Sequence, residues 1–126
     1  MKTTEREAAD LFFALGDETR LSVLSKLRGR TLTATALAED AAVTRQAIVK
    51  HLQVLDGAGL VTNERRGREV LYRPVPRRLD DAREFLDYIS AGWDRAIDRL
   101  RQAVEGEDRE PSVAQAEGSV GEAAGR

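Results

Sequence analysis

The sequence predicts a mainly α fold carrying a small β-hairpin, and three observations lead there. Apolar residues recur at helical spacing through most of the chain. The stretch from Arg45 to about Asp56 has one apolar and one polar face. Two short alternating strands follow it at once, Leu60 to Glu64 and Glu69 to Arg73, around Arg65-Arg66-Gly67-Arg68. A helix running directly into a basic-tipped hairpin is the layout of a winged helix-turn-helix.

The chain has 126 residues, one domain's worth. With 33% charged residues and three prolines it reads as helical and soluble rather than all-β. The absence of cysteine excludes disulfides, thiolate catalysis and cysteine metal sites. The start, MKTTEREAADLFFALG, has only a short apolar run with charges before it, so neither a secretory signal nor a membrane span is expected, and the cytoplasm is the expected location. Charge is unevenly spread. Residues 105–126 carry a net −4 while the whole chain is −2, which leaves +2 for the remainder. Between Thr44 and Arg78 eight basic residues face three acidic ones.

In chain order, Thr4 with Glu7 fits a capping box, and Ala8, Leu11, Phe12 and Leu15 form the apolar arc of a first helix ending near Gly16. Asp17 can cap a second helix with apolar positions Leu21, Leu24 and Leu27, closed by Gly29. Thr31-Leu32-Thr33 is too short for a sheet of its own but can pair along the hairpin edge. A short alanine-rich helix, Ala34 to Ala41, is anchored by Leu37, and Ala42-Val43 turns into Thr44.

Thr44 is placed to cap the helix from Arg45, and Gly57 and Gly59 are placed to stop it. At about 100° per residue, Ile48, His51, Leu52 and Leu55 share one arc, while Arg45, Gln46, Val49, Lys50 and Gln53 share the opposite one. The second arc suits a major groove: Gln46 can pair with adenine, Arg45 or Lys50 can address guanine or phosphate, and Val49 can meet a thymine methyl. Thr44 and Gln53 would position the helix, and Arg65, Arg66 and Arg68 of the wing would hold backbone or minor groove. A solvated amphipathic face is the plainer explanation; the basic hairpin that follows favours the nucleic-acid one.

Pro74 and Pro76 end the strands, and a long helix is expected from about Leu79 to Val104. Leu79, Ala82, Phe85, Leu86, Ile89, Trp93, Ala96, Ile97, Leu100 and Val104 fall within an arc of about 120°. Such a stripe exceeds what a small core needs, so the same helix of a second chain is its expected cover, with folding across the first helix as the alternative. The domain is therefore placed at 1–104, followed by an acidic tail at 105–126 that is expected to be disordered.

With these pieces in place, the sequence resembles the ArsR-type family of small winged helix-turn-helix repressors. LFFALGDETRLSVLSKL is similar to the family's opening signature, TRQAIVKHLQVLDGAGLV to its recognition helix and exit, and RRGREVLYR to its wing. The resemblance implies a homodimer formed through the first and last helices, placing Leu11, Phe12, Phe85, Leu86, Ile89, Trp93, Ile97 and Leu100 at the interface. It also implies repression and an operator of two-fold symmetry. Two positions depart from the family pattern. Glu18 stands where proline is usual, and Ala36-Leu37-Ala38-Glu39-Asp40 stands where metal-sensing members carry a cysteine pair. The RQAIVKHL wording with a tryptophan, Trp93, in the last helix resembles more a metal-independent branch, with no metal site or cofactor expected and any small-molecule effector unknown.

Other features have plainer explanations. His51 is the only histidine and lies on the packing arc, so a structural polar contact to the preceding helix is expected rather than a metal site. Asp80, Asp81, Glu84 and Asp87 read as favourable charge at a helix N-terminus. No nucleophile elbow, phosphate loop or triad spacing marks an enzyme. The competing class is a winged-helix module that binds an acidic protein partner. Such an interface would favour aromatic anchors on the exposed arc, which has none.

Overall fold

A computed structural model describes residues 2–106; of the tail expected at 105–126, Glu105 and Gly106 belong to the last helix and the remainder lies outside the described residues. One unit extends to Leu86, and a second begins at Asp87.

The first unit begins with α1 (Glu5–Leu15), α2 (Glu18–Lys26), β1 (Leu32–Thr33), α3 (Ala34–Ala38) and α4 (Arg45–Gly57). Then come β2 (Val61–Arg66), β3 (Glu69–Pro74) and the start of α5 (Pro76–Gly106). Local chemistry sets the starts of α1, α2 and α4 as expected. Thr4 forms a full capping box with Glu7, and Asp17 accepts from the Arg20 N–H. Thr33 caps α3 and Thr44 caps α4 in the same manner. The short β1 joins the hairpin to give a three-stranded antiparallel sheet, order β1-β3-β2, with Leu32 opposite Tyr72.

Four expectations are corrected. The helix α3 ends at Ala38 rather than Ala41, because the Glu39 and Ala41 amides bond three residues back, to Ala36 and Ala38, and tighten the chain out of the α path. In α2, Leu21 is 51% exposed, while Arg20, Val23 and Leu27 are buried and Leu24 is half-buried. The buried stripe is thus Arg20, Val23, Leu24 and Leu27, at i, i+3, i+4 and i+7, and an arginine holds one of its places. The strands run through Arg66, leaving Gly67-Arg68 as a two-residue turn. Finally, α5 starts at Pro76, where the fixed φ of proline suits a first helical position and its missing N–H costs nothing. This earlier start moves Asp80 and Asp81 out of the first turn. Asp81 instead pairs with Arg78 at 2.9 Å.

The core draws on every helix of this unit. Leu11, Leu27, Leu37, Ile48, Leu52, Leu55 and Leu60 are fully buried, with Val23, Val61 and Ala82 beside them. Leu11, assigned to a dimer interface from the sequence, is 0% exposed in the single chain and belongs to this core. Phe85 is also buried, at 8% exposure, and meets the half-buried Phe12 of α1 with ring centroids 6.4 Å apart, tilted 59°. Two of the three aromatics expected at the interface, Phe12 and Phe85, therefore already pack against each other within one chain.

From Asp87 the described chain is the rest of α5, a helix of 31 residues spanning about 46 Å at a rise of about 1.5 Å. Ile89, Trp93 and Leu100 are 40%, 61% and 58% exposed. Tyr88, Ile89, Gly92, Trp93, Arg95 and Ala96 line a shallow depression on its surface. Among the described residues no helix is long and apolar enough to cross a membrane.

Candidate nucleic-acid interface

The start of α4 follows from one hydroxyl. Thr44 takes an extended conformation (φ −76°, ψ 164°) and its Oγ1 accepts from the Ala47 N–H at 3.1 Å, satisfying an amide that has no intrahelical partner. The apolar arc then faces inward through Ile48, Leu52 and Leu55, all buried. The opposite arc is therefore turned outward. Arg45, Gln46, Lys50 and Gln53 are exposed, as is Thr44. Val49 is half-buried and packs partly against the core, so only part of its surface is available to a partner. Arg45 donates through Nε to Thr35 Oγ1 of α3 at 3.1 Å. That bond restrains a long side chain while leaving four of its five N–H donors by count.

In the wing, Gly67 has φ +63°, and among the described residues no non-glycine residue has a positive φ. A positive φ at the first of two central residues is the requirement of a type II′ turn, which matches the twist of a hairpin. Arg65, Arg66 and Arg68 are all exposed. Since strand side chains alternate between faces, Arg65 and Arg66 lie on opposite faces of the ribbon rather than together at its tip. Arg66 shares its face with Glu64, whose carboxylate lies 3.5 Å from its Nε. This exposed pair contributes little to stability, but it holds the guanidinium along the strand.

Short bonds fix the wing to α4. Asn63 Nδ2 of β2 donates to Asp56 Oδ2 of α4 at 2.8 Å. The Gly59 and Leu60 amides return to the carbonyls of Asp56 and Leu55. Gly59 has φ +77°, and a Cβ there would stand 3.1 Å from Arg78 Nε, so glycine is needed both for the backbone and for the arginine that crosses it. Arg78 in turn donates to the Ala58 carbonyl at 3.3 Å.

Beneath α4 lies a polar cluster that the sequence reading only partly located. His51 was expected to contact the preceding helix; its Nδ1 instead meets Arg20 Nη1 of α2 at 3.1 Å, with Asp17 Oδ2 at 3.7 Å. The Asp17 carboxyl is held below its usual range, first by the hydrogen bond from the Arg20 backbone N–H and further by the charge of the nearby Arg20 guanidinium. Arg20 went unnoticed, although its i, i+3, i+4, i+7 relation to Val23, Leu24 and Leu27 marks it as inward-facing. Among the described residues no group of three or more His, Cys, Asp or Glu side chains could hold a metal ion.

Residues 15–64, which hold α2, β1, α3, α4 and the start of β2, match a family model described as a helix-turn-helix domain. The chain is 34% identical to an HTH-type transcriptional repressor, SmtB of Mycobacterium tuberculosis, over 71% of its own length and 65% of the relative's. It is 32% identical to an HTH-type transcriptional regulator of the same organism, Rv2034, with 83% of this chain and 95% of that one covered. Among solved structures, an ArsR-like transcriptional regulator from Rhodococcus sp. RHA1 superposes with a TM-score of 0.75 at 39% identity, covering 82% of this chain and 94% of that one.

Proposed function

Since the chain belongs to the ArsR-type family of winged helix-turn-helix transcriptional regulators, a family of DNA-binding proteins rather than enzymes, we propose that it is a homodimeric repressor that reads a two-fold symmetric operator. The observation that carries this reading is the outward arc of α4. Gln46 and Lys50 project from the N-terminal half of a helix whose opposite side is locked into the core. That half is the end which helix-turn-helix proteins direct at base edges. Arg45, Gln46, Val49 and Lys50 read bases, Thr44 and Gln53 set the helix on the backbone, and Arg65, Arg66 and Arg68 meet phosphate or the minor groove.

The homodimer is supported by the exposed stripe of α5. Leu86, Ile89, Trp93 and Leu100 are each at least 40% exposed, and Ile97 lies among them. Apolar side chains repeated along one helical arc are best covered by the same arc of a second copy. Leu11 takes no part, being closed within the core, and Phe12 and Phe85 contribute only what their mutual contact leaves uncovered.

The regulator works without a transition-metal signal. The donor set argues for this, because there is no cysteine and the single histidine meets an arginine through Nδ1. Carboxylates and carbonyls, the ligands left, suit magnesium or calcium rather than zinc or copper.

Selection of fragments from a random DNA pool tests the whole reading. The expected result is a recurring site with two related half-sites, bound with an affinity that falls steeply as salt rises. Recovery of unrelated sequences, or salt-independent binding, refutes sequence-specific DNA recognition.

A further inference from the structure

Arg20 is only 9% exposed, yet its guanidinium donates in three directions. Nε gives to the Ala14 carbonyl at 2.6 Å and Nη2 to the Phe13 carbonyl at 3.1 Å. Nη1 reaches His51 Nδ1 of α4 at 3.1 Å. The first two bonds go to carbonyls at the end of α1, of which that of Phe13 also accepts from the Gly16 cap N–H at 3.1 Å. The third crosses to the middle of the reading helix on its inner side. Arginine can only donate, so Nδ1 is the accepting nitrogen and the ring proton sits on Nε2. Asp17 Oδ2, 3.7 Å from the same Nδ1, is an acceptor facing an acceptor; its own donor is the Arg20 N–H at 3.0 Å.

We propose that Arg20 and His51 are positioning residues for DNA reading, which together fix the rotation of α4 about its own axis. The inference rests on the DNA-binding function argued above. Ile48, Leu52 and Leu55 hold α4 against the core, but apolar burial is non-directional and resists a small rotation weakly. Side-chain tips lie about 6 Å or more from a helix axis, so a rotation of about 20° moves them by about 2 Å. That exceeds the narrow range over which a hydrogen bond to a base edge survives. The Arg20 to His51 bond is directional. Its other end is anchored on α1, and it meets α4 one residue beyond Lys50, so it acts where the tolerance is smallest.

Two variants separate positioning from simple stability. His51→Leu removes the acceptor while keeping an apolar side chain on the packing arc, and His51→Gln retains an oxygen that can accept from Arg20. Each is measured by equilibrium binding to a fragment the intact protein selects from a random pool and to a random fragment, with thermal unfolding alongside. His51→Leu is expected to lose about tenfold on selected DNA, the scale of one hydrogen bond to a charged donor. Binding to random DNA, made through the exposed arginines, stays unchanged, and His51→Gln keeps most of the preference. A purely structural role would lower both affinities together, in step with the folded fraction.

An unchanged preference in His51→Leu overturns the proposal, as does an equal loss in His51→Gln. Should His51→Leu not fold, long-range proton-nitrogen spectra of the intact protein decide the matter: the tautomer with its proton on Nε2 is expected, and a proton on Nδ1 removes the bond on which the proposal stands. If the intact protein itself has no preference for any DNA, the functional reading fails, a result distinct from loss of preference in the variant alone.

Discussion

Truncating Trp93 to alanine separates assembly from folding. A tryptophan brings about 250 Å² to a contact when fully covered. In the single chain 61% of Trp93 is exposed, so about 150 Å² remains to be covered by a partner. At about 25 cal/mol per Å² that area is worth about 4 kcal/mol for each copy. A two-fold axis counts the residue twice, while incomplete coverage at the interface offsets part of the gain. A net loss of about 4 kcal/mol per dimer is therefore expected, raising the dissociation constant about a thousandfold. Leu11→Ala should behave differently, because Leu11 is already 0% exposed within one chain. It should cost about 2 to 5 kcal/mol of fold stability and affect assembly only through unfolding. Sedimentation equilibrium over a range of concentrations, with circular dichroism at each, distinguishes the two. If Trp93→Ala remains a dimer where the intact protein is one, or the intact protein is monomeric at micromolar concentration, the argument from the α5 stripe is refuted.

Gln46→Ala is expected to cost about 1 to 3 kcal/mol at the selected site and relax sequence preference, whereas Arg66→Ala should weaken all DNA comparably and lower the salt slope by about one; equal losses of Gln46→Ala on selected and random DNA would remove Gln46 from the reading set. The lowered titration of Asp17 gives a stability contribution that is present above the ordinary carboxylate value of 3.8 and is lost as pH falls through the lowered one. Asparagine caps a helix comparably without titrating, so the stability difference between the intact protein and Asp17→Asn, measured by urea unfolding, should shrink between pH 6 and pH 3. A difference that stays constant over that interval contradicts this assignment of the charge. Zinc, copper and arsenite titrated into a protein-DNA complex should not release the DNA, and stoichiometric submicromolar binding that does so would falsify the metal-independent reading.

The sequence by itself determined what depends on near neighbours in the chain. Thr4, Asp17 and Thr44 cap their helices because a cap needs only a side-chain oxygen and an amide three residues on. The exposed arc of α4 and its basic wing were legible for the same reason, since helical and strand periods assign faces within a single element. Tertiary structure decided what covers each face. Leu11 and Trp93 both stand on apolar helical arcs, and periodicity treats them alike, yet one lies closed in the core and the other is mostly exposed. Arg20 shows the converse. Its spacing is that of a buried residue, but residue type argued for solvent until Phe13, Ala14 and His51 were brought around its guanidinium. Those partners lie 7, 6 and 31 residues away in the chain, and the long-range one exists only because α4 packs against α2. Burial is a property of neighbours that a local period cannot count, and for a buried charge the neighbours decide whether the position is tolerated at all.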